Sequence, residues 1–167
     1  MFIKILTTGG TIDKVYFDRL SEFQIGDPQI AEILRPVHPV FTYEVEPVLR
    51  KDSLDLTEAD RALLRRTVET ESADRILITH GTDTMRETGR ALAGIAGKTI
   101  VLTGALAPAL FKESDATFNI GFALACVQTL TPGVYLAMNG TVFDPFLVRK
   151  NRDRGAFEAV DTPEGRT

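Results

Sequence analysis

The sequence of 167 residues carries 19 Lys+Arg against 23 Asp+Glu, a net charge of −4, and is 44% hydrophobic, enough for one domain that buries roughly 70% of the surface its unfolded chain exposes. The acidic balance argues against a nucleic-acid partner, and the longest apolar run, Ile120 to Val127, is far shorter than the ~18 residues of a membrane span. No charged stretch followed by a long apolar one marks an export signal, so a cytoplasmic protein without membrane or nucleic-acid contact is expected.

The elements follow in chain order. Phe2 to Leu6 is an apolar run that reads as a first strand, ended by a Thr/Gly loop. From Asp13 to Asp27 neither helical nor strand period is sustained, which suggests a long loop of functional use, such as a lid. Pro28 starts a short helix through Arg35, closed by Pro36 and Pro39. Phe41 to Val48 reads as a second strand, and Thr57 with Asp60 resembles a capped helix start that leads into Leu63, Leu64, Thr67 and Val68. Arg75 to Thr79 is the next strand, Met85 to Ala96 a helix ended by Gly97, and Thr99 to Thr103 another strand. The helix Ala116 to Leu130 and the strand Val134 to Met138 complete the alternation. Asn139-Gly140 is a tight-turn signal, so Thr141-Val142-Phe143 is expected to return antiparallel, and Gly165 to the end reads as frayed. This alternation predicts an α/β fold, a doubly wound, mostly parallel sheet of flavodoxin-like or Rossmann-like type with a C-terminal antiparallel hairpin.

Two segments stand out at strand ends, Thr7-Thr8-Gly9-Gly10-Thr11-Ile12 and Thr79-His80-Gly81-Thr82-Asp83-Thr84. In a parallel α/β sheet such loops open into one crevice. Together they supply two threonines, a carboxylate and several backbone N–H groups, the parts needed to attack a carbonyl and hold the charge that develops on its oxygen. Neither matches a nucleotide loop, since Gly9-Gly10 lacks the later glycines of a dinucleotide fingerprint; elsewhere in the chain, Gly94 to Thr99 lacks the first glycine of a phosphate loop and precedes a strand, so it reads as a helix end. The lone Cys126 lies in an apolar pattern and reads as a buried structural residue. His38 and His80 have no second ligand at metal spacing, so neither metal nor other cofactor is expected.

The two segments resemble the signature motifs of the bacterial-type L-asparaginase family, amidohydrolases that turn asparagine into aspartate and ammonia. Asp52-Ser53 between them, Thr103-Gly104-Ala105 after the next strand and Lys150 further on agree, so the similarity runs from about Phe2 to about Lys150. The resemblance implies that Thr11 is the nucleophile and that Thr82, Asp83 and Lys150 form a second polar trio. It further implies that Asp83 takes the substrate ammonium, that Ser53 takes its carboxylate with backbone N–H groups near Asp52 and Gly81, and that Ala105 lines the amide pocket. The family's lid tyrosine aligns with Phe23, which has no hydroxyl, and Tyr16 is the natural substitute. Lys150 either loses its proton and acts as a base or stays charged and orients Thr82. His80 is expected to be a structural hydrogen-bonder and Asp13 to tie down the loop, while the basic cluster Arg149-Lys150-Arg152-Arg154 reads as a solvated turn.

Family members are about twice this length, with a C-terminal domain that lends an acidic residue to a neighbouring copy of the chain. The sequence is therefore expected to form one short domain over residues 1–167, with a homodimer or larger even homo-oligomer closing the pocket and Asp153, Glu158 or Asp161 reaching across. The leading expectation is an L-asparaginase acting through an acyl-enzyme. The alternatives are the ammonia-releasing amidase component of a tRNA-dependent amidotransferase and a catalytically weak amino-acid-binding module.

Overall fold

A computed structural model describes residues 1–17 and 22–162. Strand β1 (Phe2–Thr7) is buried at every position after Phe2, as a strand covered on both faces must be. A hairpin of β2 (Lys14–Phe17) and β3 (Glu22–Ile25) follows, then helix α1 (Ile30–Leu34) and strand β4 (Thr42–Pro47). Next come α2 (Glu58–Thr70), β5 (Arg75–Thr79), α3 (Met85–Ala91), β6 (Thr99–Thr103) and α4 (Ala116–Thr129). The described chain continues through β7 (Gly133–Met138), β8 (Thr141–Phe143) and a last hairpin of β9 (Val148–Asn151) and β10 (Ala156–Ala159).

Six strands form one sheet in the order β4-β1-β5-β6-β7-β8. It is parallel through β7, and β8 returns antiparallel beside β7. This is the doubly wound α/β arrangement expected from the alternation. The chain leaves β1 toward β4 at one edge but leaves β5 toward β6 in the other direction, so the β1/β5 boundary is the topological switch where strand-end loops part and open a crevice. Register places Thr7 beside Thr79 and Thr79 beside Thr103, which starts all three loops at one height.

Alternating side chains fill both faces. Ile3, Ile5, Leu77, Val101 and Ala137 join Ile30, Ile120 and Val127 on the side of α1 and α4. Ile76, Ile78, Ile100, Leu102 and Met138 join Leu64, Val68 and Met85 on the side of α2 and α3. Each fully buried aliphatic side chain contributes about 1.5–3 kcal/mol, against about 0–1 kcal/mol for an exposed ion pair; the two-sided apolar core, rather than surface charge, holds the fold. Cys126 is 6% exposed, and burial pushes its thiol up, as a structural cysteine requires.

Three expectations change. The stretch from Asp13 to Asp27 is not simply a loop, because β2 and β3 pair antiparallel, Tyr16 opposite Phe23; strands of four residues with solvent on one side are too short to show a period. The helix expected from Met85 to Ala96 stops at Ala91. Arg65 of α2 donates to the carbonyls of Ala91 and Ala93 at 2.7 and 3.0 Å, and Gly94 then turns at φ 83°. The basic cluster after Phe146 is not a solvated turn throughout, since Arg149 and Lys150 lie on β9. The capping box is present as expected, with Thr57 N donating to Asp60 at 2.8 Å and Asp60 N to Thr57 Oγ1 at 3.2 Å. The frayed end expected from Gly165 lies outside the described residues.

Candidate active site

Four strand-end loops meet over the β1/β5 boundary, and glycines let them meet. Gly10, at φ 92°, approaches so closely that a Cβ there would lie 2.4 Å from the Cα and N of Gly81. On Gly81 itself, a Cβ would lie 2.6 Å from Oγ of Ser53. The loop after β1 is laced to its neighbours: Thr8 Oγ1 donates to the Thr79 carbonyl at 3.0 Å, and Lys51 N to the Thr8 carbonyl at 3.1 Å. Thr11 then opens a single 3-10 turn, Thr11–Asp13, at the edge of this junction and is only partly buried.

The second motif is held from below. His80 has no exposed surface; because a carbonyl can only accept, Nδ1 donates to Gly81 O at 2.7 Å, leaving Nε2 to accept from Thr88 Oγ1 at 2.8 Å. Burial lowers its pKa to about 4, so the ring is neutral and acts as a strut. Above it, Thr82 is 4% exposed and Asp83 half-buried. Lys150 Nζ, from β9, donates to Thr82 Oγ1 at 2.8 Å and to Asp83 Oδ1 at 3.0 Å. Arg152 Nη2 donates to the same Oδ1 at 3.0 Å. A cleft of about 260 Å³ opens here, bounded by Thr82, Asp83, Glu87, Lys150 and Arg152, with Phe157 in its wall.

Lys150 reaches Thr82 across 68 positions of sequence because the last hairpin is pinned to the sheet. Phe157 packs against Phe143 with ring centroids 6.3 Å apart, and Val148 is fully buried. Asn139, in the turn after β7, accepts from Phe157 N at 3.1 Å and donates through its own N to Asn119 of α4 at 3.1 Å. Asn119 in turn donates to the Gly104 carbonyl at 3.1 Å, so the loop after β6 belongs to the same chain of hydrogen bonds.

The remaining expected residues fall as follows. Ser53 is buried against Gly81, and its carbonyl accepts from Thr84 Oγ1 at 2.7 Å. Asp52 already has two tasks, capping Leu54 N at 3.2 Å and pairing with Lys14 Nζ at 2.7 Å. Ala105 has no exposed surface and belongs to the apolar cluster of α4. Tyr16 is 54% exposed and packs edge-on against Phe23 at 5.5 Å, which itself meets Phe111 at 5.9 Å. The structure therefore makes Tyr16 and Phe23 cross-strand neighbours rather than distant alternatives. Asp13 does tie down its loop: Oδ1 accepts from Gln29 N at 2.8 Å, its carbonyl accepts from Gly26 N at 2.7 Å, and burial raises its carboxyl to about 6. Arg152 at the cleft has no signal in the sequence, since nothing in a run of basic residues marks the one that folds back.

A model of the asparaginase N-terminal region matches residues 2–166. The chain belongs to the asparaginase family. This asparaginase-family chain is 31% identical over 176 residues to an L-asparaginase of Thermococcus kodakarensis, covering 98% of this chain and 52% of that one. It is also 30% identical to one component of the glutamyl-tRNA(Gln) amidotransferase of Thermoplasma acidophilum, covering 96% of this chain and 43% of that one. The solved structure of the thermostable L-asparaginase from Thermococcus kodakarensis superposes with a TM-score of 0.82 at 27% identity, covering 98% of this chain and 52% of that chain. The chain thus spans about half the length of the curated relatives it matches. Within the family fold, the two signature loops and Lys150 occupy one end of the sheet, and Arg152 joins them there.

Proposed function

We propose that the chain hydrolyses the side-chain amide of L-asparagine, with Thr11 as nucleophile and an acyl-enzyme intermediate. What carries the reading is the Lys150–Thr82–Asp83 trio, assembled from a loop and a remote hairpin at 2.8 and 3.0 Å beside the glycine junction that brings the Thr11 loop near. Thr11 Oγ attacks the amide carbon and the C–N bond breaks; the hydroxyl proton leaves with ammonia by way of Tyr16, the hydroxyl on the exposed hairpin. Backbone N–H groups of the two glycine loops stabilise the oxyanion. Water, positioned by Thr82 that Lys150 holds in place, then adds to the ester carbon; one water proton passes by way of Tyr16 to Thr11 Oγ as the ester C–O bond breaks, and aspartate leaves. Lys150 has two acceptors at hydrogen-bond distance, which favours an orienting ammonium for the resting enzyme over a free base. Asp83 serves the substrate ammonium, and Ser53 with Gly81 serves the carboxylate.

Similarity to the amidotransferase component favours one second reading, an amidase that supplies ammonia to a partner. Ammonia release from asparagine and glutamine, with and without such a partner, separates the two. In the leading reading Thr11→Ala and Thr82→Ala each lower turnover on asparagine at least a hundredfold with melting temperatures within about 2 °C of wild type. Thr82→Ser keeps more activity than Thr82→Ala because it keeps the hydroxyl. Near-normal rates in both alanine variants remove these assignments.

A further inference from the structure

Asp83 is crowded by cations. Both Lys150 Nζ and Arg152 Nη2 lie 3.0 Å from one oxygen, Oδ1, although a carboxylate offers two. The other charges around the cleft do not offset this: Arg86 lies 3.3 Å from Glu87, while Arg149 and Arg154 share Glu158 at 3.3 and 3.1 Å. Among the described residues of the cleft this leaves one carboxylate facing two cations, a local excess of positive charge. The two cations differ in freedom. The Lys150 side chain is 18% exposed and also bound to Thr82, whereas that of Arg152 is 71% exposed and sits in the turn after β9.

An exposed ion pair of this kind contributes little, and both cations bond to Oδ1, so a ligand ammonium can reach Oδ2 without displacing Arg152; it must nevertheless share the carboxylate with the guanidinium and is repelled by its charge. A ligand with an anionic group but no ammonium meets no such competition and finds a guanidinium with donors to spare. We propose that Arg152 is a specificity-determining residue that competes with the α-ammonium of an amino acid for Asp83 and so shifts this site toward ω-amides of dicarboxylic acids that lack an α-amino group. The proposal rests on the assignment of Asp83 to the ammonium in the hydrolase reading above and adds the residue that opposes it.

The test uses the two hydrolysis products, L-aspartate and succinate, which differ only in the α-amino group. Their dissociation constants are measured by calorimetry on the wild-type chain, Arg152→Gln and Arg152→Lys. Removing the charge in Arg152→Gln is expected to tighten L-aspartate about two- to fivefold and to weaken succinate by a similar factor, the range an exposed ion pair allows. Arg152→Lys keeps the charge and stays within about twofold of wild type. A preference that moves less than about twofold in Arg152→Gln, moves the other way, or cannot be measured because neither product binds overturns the proposal. Arg152 is exposed, so circular dichroism melts of all three proteins are expected to coincide. Ammonia release from L-asparagine and succinamate is followed separately: silence with both amides removes the hydrolytic reading, while the two-product comparison still decides the role of Arg152.

Discussion

Two buried groups near the candidate site titrate in opposition. Asp13, raised from 3.8 to about 6 chiefly by burial, holds its proton longer when folded than when unfolded. Its contribution to stability is therefore full below about pH 4 and lost as the pH rises through 6. His80, lowered from 6.5 to about 4 by burial, releases its proton on folding, so stability falls as the pH drops from 6.5 through 4. The two slopes partly cancel between pH 4 and 6. Asp13→Asn retains an oxygen to accept from Gln29 N and removes the ionisation. It is expected to raise stability at pH 7 by up to about 3 kcal/mol and to steepen the rise of melting temperature between pH 4 and 6. A melting-temperature profile parallel to wild type would show that Asp13 does not ionise in a buried state.

At the scale of elements, the hairpin of β9 and β10 is the piece on which Lys150 depends, and it holds on through few bonds. Asn139 combines a left-handed φ of 52° with the 3.1 Å bond to Phe157 N. Asn139→Ala loses both, at a cost of about 1 kcal/mol for the backbone and about 1–3 kcal/mol for the orphaned buried donor. Asn139→Gly relieves the backbone and leaves the donor orphaned, so it is expected to fall between Ala and wild type in urea unfolding. Both variants should cut turnover more than their stability suggests, because Lys150 loses its fixed distance to Thr82. If turnover is unaffected while the hairpin becomes sensitive to protease, Lys150 is not needed within hydrogen-bond reach of Thr82.

For the whole molecule, the open cleft sets the expectation. Arg152 stands exposed at its edge, and water reaching an amide in such a place weakens every electrostatic contact made to it. We propose that a second copy of the chain covers this face in a homodimer or larger even oligomer. Light scattering is expected to give an even multiple of the 18.4 kDa chain, and activity per chain should fall on dilution. A monomer of constant specific activity would leave the β2–β3 hairpin as the cover.

Much of this was legible in the sequence, where local chemistry and period agree. The buried strands from Ile3, Arg75 and Thr99 declare themselves as apolar runs, the Thr57–Asp60 box by its own side chains, and the β7–β8 return by Asn139-Gly140. The loops that hold Thr11, Thr82 and Asp83 were visible because each begins where a strand ends, so that sheet topology carries both to one end of the sheet; the roles expected of those residues came from the resemblance to the family. Only the tertiary structure could decide that β2 and β3 pair, that Arg65 ends α3, and that Lys150 and Arg152 fold onto Asp83. Those outcomes depend on partners up to 69 positions away, joined by single hydrogen bonds and ion pairs that leave no periodic trace in the chain. Local propensity and burial determine which segments form, but long-range pairing of a few charged and polar side chains decides what the resulting cleft attracts.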